Sequence, residues 1–169
     1  MKTIFVHGYG SNNQSSKFIQ LKKHYPNIIC FEWDNSPTIV QDLINFIDNP
    51  DELLIIGYST GCNFIGQLNF KDILVHKVFI SPLFTLNQIK VKIPYTKNQL
   101  KQLKDIDNIR DSMLILPDND DVLNYEKLPK FIKNNNGIYL YKNKNHRFSG
   151  GLPKDLTSKI NDYVSNVAI

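Results

Sequence analysis

The sequence predicts an α/β fold: a three-layer sandwich with a mostly parallel, six-stranded sheet and helices on both faces. Three observations carry this reading. Six short apolar runs rich in β-branched residues recur along the chain. None shows the strict alternation of a one-sided sheet, so each suits a strand buried on both faces. Amphipathic stretches separate them, and strands alternating with helices build βαβ units.

The predicted strands are Thr3–Val6, Ile28–Phe31, Leu53–Ile56, Lys77–Ile80, Met113–Leu116 and Ile138–Tyr141. The first four begin roughly every 24 residues, about the length of one βα unit. Between them, Ser15–His24 places Phe18, Ile19 and Leu21 at helical spacing. Thr38–Ile47 carries a broad apolar face of Ile39, Leu43, Ile44, Phe46 and Ile47, with Pro37 suited to a first turn. Gly61–Phe70 presents Phe64, Ile65 and Leu68, and Asn98–Ile109 presents Leu100, Leu103 and Ile106. Pro153–Val167 brings Leu156, Ile160, Tyr163 and Val164 to one face. A weaker helical stretch, Tyr125–Ile132, is interrupted by Pro129.

The chain has 169 residues, of which 41% are hydrophobic and 21% charged. That length and composition predict a single domain over residues 1–169 that can hold a real core. A short cap-like insertion falls at about 82–112, where the strand spacing stretches. Lys and Arg total 20 against 16 Asp and Glu, a net charge of +4. The excess is scattered lysine, with Arg110 and Arg147 the sole arginines, which argues against a nucleic-acid partner. Two cysteines make no disulfide framework, and no apolar run approaches the length of a membrane span. The N-terminus is too short in apolar residues for a signal sequence. The expectation is a soluble cytoplasmic protein with no membrane partner; the oligomeric state stays open.

Ligands bind beyond the carboxyl ends of the strands in such a sheet. The third run leads directly into Gly57-Tyr58-Ser59-Thr60-Gly61, a G-x-S-x-G with a strand before it and a helix after it. A nucleophilic serine needs a sharp, exposed turn there, and the crowding of that turn requires Gly57 and Gly61. The first run ends in His7-Gly8-Tyr9-Gly10-Ser11. A dinucleotide fingerprint fails here because Asn13 stands at the third glycine position. The loop suits an oxyanion site instead, with the Tyr9 and Thr60 backbone N–H groups paired, Gly8 allowing close approach and His7 bracing the loop.

A general base must follow the serine and the acid in chain order. Of the histidines at 7, 24, 76 and 146, only His146 does. His24 and His76 read as surface residues. The acid should lie just after the fifth run, where Asp118, Asp120 and Asp121 all compete. A calcium loop is excluded there, since Val122 and Leu123 occupy positions that need a ligand and a glycine. Cys62, on the first helical turn after Ser59, reads as a small buried hydrophobe and not as a rival nucleophile. Trp33, Tyr95 and Phe84 are candidates to line the pocket.

HGYGS, GYSTG, the acidic DNDDV turn and NHRF together resemble the α/β-hydrolase superfamily, and in compactness the small, lid-poor YqiA-like serine esterases. The resemblance spans essentially the whole chain. It maps the acid onto Asn119-Asp120-Asp121-Val122 and so favours Asp120. It departs from the family pattern in Asn119 before the acid and Asn145 before the histidine. It implies a serine hydrolase with Ser59, Asp120 and His146 as a triad, acting on small-molecule carboxylic esters or thioesters of small acyl groups. No cofactor and no metal are implied. The competing reading is a catalytically weak binding protein on the same fold.

Overall fold

The computed structural model describes residues 1–107, 109, 112–128 and 137–167. Six strands form one sheet: β1 (Lys2–Val6), β2 (Ile29–Phe31), β3 (Glu52–Tyr58), β4 (Leu74–Ile80), β5 (Ser112–Pro117) and β6 (Ile138–Tyr141). Their order is β2-β1-β3-β4-β5-β6, and every pairing is parallel. All six carboxyl ends therefore share one edge. The chain steps outward to β2 on one side of β1 and to β3 on the other. That reversal is a topological switch point, where loops leaving neighbouring strands diverge and open a crevice.

Side chains along each strand alternate between two cores. Ile4, Val6, Leu53, Ile55, Phe79 and Leu114 face one layer. It is closed by α2 (Ile39–Ile47) through Ile39, Leu43 and Ile47, and by α3 (Thr60–Gly66) through Phe64 and Ile65. Phe5, Leu54, Ile56, Val78, Ile80 and Met113 face the other. There α1 (Ser16–His24) contributes Phe18 and Leu21, and α5 (Leu156–Val167) contributes Leu156 and Ile160. The edge strands β2 and β6 are only partly covered. None of the described helices is long and apolar enough to cross a membrane.

Several predicted boundaries move for identifiable reasons. The predicted helix 98–109 is observed only as α4 (Lys97–Gln102). The Asn63 side chain captures the backbone of Lys104, accepting from its N–H at 3.1 Å and donating to its C=O at 2.7 Å, so the helix cannot continue. Leu103, Ile106 and Ile109 still reach the core, from non-helical chain. Helix α3 stops at Gly66 instead of Phe70, its end tightened by i→i+3 bonds from Gln67 and Leu68. Of the predicted helix 125–132, only a 3₁₀ turn at Tyr125–Lys127 is seen, and 129–132 lie outside the described residues.

His76 departs most from expectation. It lies inside β4, fully buried, with Nε2 3.1 Å from Glu52 Oε1 and its ring edge-on to Tyr163. Strand β4 begins three residues earlier than its apolar run implies, and this draws His76 into the sheet.

Candidate active site

The loops after β1, β3, β4, β5 and β6 converge at the carboxyl edge. Ser59 occupies the turn between β3 and α3 with φ 52° and ψ −116°, a left-handed conformation that non-glycine residues avoid. Such backbone strain typically costs about 1–3 kcal/mol and persists only when its surroundings enforce it. Here the Ser59 N–H donates to the Ile80 carbonyl at 2.9 Å, and the Ser59 carbonyl accepts from Leu83 and Cys62. Both glycines of the turn are required by space. A Cβ on Gly61 would stand 2.2 Å from the Val6 carbonyl oxygen, and one on Gly57 would stand 2.9 Å from Cys62 Cα.

Ser59 Oγ is 2.8 Å from His146 Nε2, and His146 Nδ1 is 2.8 Å from Asp120 Oδ2. All three residues are buried, at 8%, 5% and 6% exposure. Asp120 Oδ1 accepts from the N–H groups of Val122 and Leu123, and Oδ2 also accepts from the Tyr125 hydroxyl at 2.7 Å. Burial by itself would raise the Asp120 pKa. The bond and charge of His146, with the Leu123 and Tyr125 donors, outweigh it and hold the carboxyl below its ordinary value. An ionised Asp120 accepts only, so Nδ1 carries the imidazole proton and the Nε2 lone pair faces the Ser59 hydroxyl.

The three competing carboxylates have separate jobs. Asp121 Oδ1 accepts from the His146 backbone N–H at 3.1 Å, and Asp118 Oδ1 accepts from the Lys144 N–H at 3.2 Å. Only Asp120 reaches the imidazole. The His146 carbonyl is held too, by the Tyr58 hydroxyl at 2.7 Å and the Ser81 hydroxyl at 2.9 Å. Tyr58, Ser81 and Tyr125 thus complete the site, and no sequence motif singles them out. Tyr58 is a variable position within G-x-S-x-G. Ser81 and Tyr125 are brought in by chain folding alone.

β1 pairs in parallel with β3, with Val6 opposite Gly57, so the loops that carry Tyr9 and Thr60 leave the same edge of the sheet. No backbone acceptor among the described residues takes either N–H. Gly8 lies close against the turn, where a Cβ would be 3.1 Å from Ser59 Cβ. His7 donates from Nδ1 to the Gly8 carbonyl at 2.8 Å, while Nε2 accepts from the Trp33 N–H at 3.3 Å. Its ring stacks on Trp33 at 5.3 Å, and burial pulls its pKa down, which favours the neutral imidazole. Residues 94 and 95 tie to both loops. The Tyr9 hydroxyl donates to the Pro94 carbonyl, and Tyr95 shares a 2.7 Å bond with the Thr60 hydroxyl.

None of the three predicted pocket aromatics lines the cleft: Tyr95 is taken up by the Thr60 hydroxyl and packs edge-on against Tyr9, and the other two, Trp33 and Phe84, lie deeper. Each is buried in the core, against His7 and Phe64 or against Phe79. The cleft at Ser59 and His146, about 290 Å³, is walled by Tyr9, Tyr58 and residues 91–94 of the insertion. Cys62 is fully buried and burial drives its thiol pKa well up, so it offers no thiolate.

No family model matches the sequence, and no curated protein matches it. Solved structures do. The esterase Pf2001 of Pyrococcus furiosus superposes with a TM-score of 0.68 at 16% identity, over 98% of this chain and 81% of that one. Est1E from Butyrivibrio proteoclasticus gives 0.63 at 12%, over 98% and 87%. The mouse alpha/beta hydrolase domain-containing protein 10 gives 0.64 at 12%, over 99% and 88%.

Proposed function

We propose that this chain, which has the α/β-hydrolase fold, is a serine hydrolase that cleaves carboxylic esters of small acyl groups. One observation carries the reading: an unbroken hydrogen-bonded chain from Asp120 through His146 to a serine held on a strained strand-to-helix turn. The esterases named among the similar structures support it.

On this reading Ser59 Oγ attacks the ester carbonyl while His146 Nε2 takes the hydroxyl proton. A C–O bond forms to the serine and the carbonyl π pair moves onto its oxygen. Two N–H groups, of Tyr9 and Thr60, receive that oxyanion. The pair returns, the bond to the alcohol breaks, and the imidazolium protonates the leaving oxygen. Water, activated by the same imidazole, then attacks the acyl-enzyme and releases the acid and Ser59. Asp120 keeps the imidazole in the productive tautomer and stabilises its charged form. The insertion is too short for a large lid, which favours small or exposed acyl groups.

The test is covalent labelling by a fluorophosphonate probe alongside a panel of 4-nitrophenyl esters. Wild type should label on Ser59 and turn over short esters, and Ser59→Ala should do neither. Full labelling or activity in Ser59→Ala would overturn the assignment.

A further inference from the structure

The cleft at Ser59 does not end at the triad. A second chamber of about 230 Å³ adjoins it, sharing Tyr9, Ser11, Tyr58 and Arg147 as a common wall and running on to Lys17. Across the two linings stand three cations, Lys17, Lys92 and Arg147, and no carboxylate. The neighbouring carboxylates are engaged elsewhere, Asp120 with His146 and Tyr125 and Asp121 with the His146 backbone N–H.

Among the described residues these cations have no anionic partner, and Arg147 makes no hydrogen bond to protein. Lys17 has only the Ser16 hydroxyl at 3.4 Å, and its ammonium lies 5.9 Å over the Tyr58 ring, whose hydroxyl holds the His146 carbonyl. The contrast is Lys159, which pairs with Asp155 at 2.8 Å. Burial, and then the Arg147 charge, pull the Lys17 pKa down, so the two like charges are felt across one cleft. Arg147 directly follows His146, which fixes its backbone beside the reacting centre. An anion in the chamber would relieve the repulsion and gain charge-assisted hydrogen bonds.

Resting on the hydrolase reading above, we infer that the preferred substrates are anionic esters, whose carboxylate or phosphate-like group sits in the second chamber between Lys17 and Arg147 while the ester reaches Ser59. The negative group can belong to the acyl part, as in the half-ester of a dicarboxylic acid, or to the alcohol part. The chemistry recognised is the same.

Matched substrates separate the two sources. The acyl arm compares 4-nitrophenyl pentanoate with the 4-nitrophenyl half-ester of glutarate, and the alcohol arm compares a neutral with a carboxylated phenyl butanoate. Each is normalised to its rate of alkaline hydrolysis. In at least one arm, kcat/KM of wild type should favour the anionic ester by about tenfold at low ionic strength. That ratio should fall toward one in the Lys17→Gln/Arg147→Gln double variant, and in wild type at 0.5 M NaCl. Arg147→Glu should invert it. Ratios at or below one in both arms, or a preference untouched by the double variant, would overturn the subsite. Thermal denaturation checks that the variants fold. Fluorophosphonate labelling keeps the two readings apart: labelled wild type with flat ratios removes the subsite alone, and unlabelled wild type removes the hydrolase reading. In the latter case calorimetric titration with glutarate still decides, since the subsite requires saturable binding to wild type and none to the double variant.

Discussion

Asp120 shows how one side chain is specified by its partners. Three aspartates stand within four positions, and only the geometry of the loop from residue 142 to 146 separates them. Asp118 and Asp121 hold that loop by its backbone, while Asp120 takes the imidazole. Replacing Asp120 with Asn supplies a donor where an acceptor is needed and favours the wrong tautomer. On the proposed mechanism kcat should fall by roughly 10⁴-fold, measured on a short 4-nitrophenyl ester. The same residue makes stability pH-dependent. Its folded pKa is depressed, so its contribution is complete above the unfolded value near 3.9 and is lost as pH falls through the lower folded value. Urea midpoints should converge between wild type and Asp120→Asn as pH drops from about 5 to 3.

At the level of elements, the turn from β3 into α3 depends on close contact with β1. Gly61 faces the Val6 and His7 carbonyls at distances no Cβ can share. The obstacle is backbone, so it cannot rotate away. Gly61→Ala should therefore destabilise by about 3 kcal/mol or more in chemical denaturation, and in its surviving folded fraction should displace Ser59. Strand β4 carries a different burden. Lys77 is half-buried, donates to the Leu68 carbonyl, and burial lowers its pKa to about 8. Its unfolded value is near 10.4, so its charged form is penalised on folding. The penalty is complete below pH 8 and is relieved as pH rises toward 10.4. Lys77→Met should thus raise stability at pH 7 by about 1–3 kcal/mol, less the lost hydrogen bond, and the gain should shrink by pH 10. A gain that stays constant with pH would contradict it.

Over the whole molecule, the sheet divides the described buried residues into two separate cores. Ile55 and Ile56 are neighbours in β3, yet Ile55 packs toward α2 and α3 and Ile56 toward α1 and α5. Trimming either to Val should cost about 0.5–1.5 kcal/mol. With no shared partner, the double change should be additive within about 0.5 kcal/mol in denaturant titration. A larger coupling would mean that the layers relax together.

The sequence by itself determined the architecture and singled out the candidate residues that the structure brings together. Short apolar runs without alternation, bounded by turns and separated by helical spacing, point to strands of a sheet covered by helices, and the G-x-S-x-G turn can be read because its glycines answer a local crowding. Ser59 and His146 followed from type and chain order, which are properties of the chain and not of its path through space. The tertiary structure decided what depends on contacts distant in sequence. Asn63 ends α4 by seizing Lys104, although the apolar spacing of Leu103, Ile106 and Ile109 continues in helical register. His76 is buried because β4 begins early, and Trp33 and Phe84 serve the core. Tyr58, Ser81 and Tyr125 join the site through hydrogen bonds that no spacing records. The gathering of Lys17 and Arg147 in one cleft belongs to the same class. A periodic pattern reports which face of an element is buried, but the partner of a polar group is set by direction and distance, and those exist only once the chain has closed.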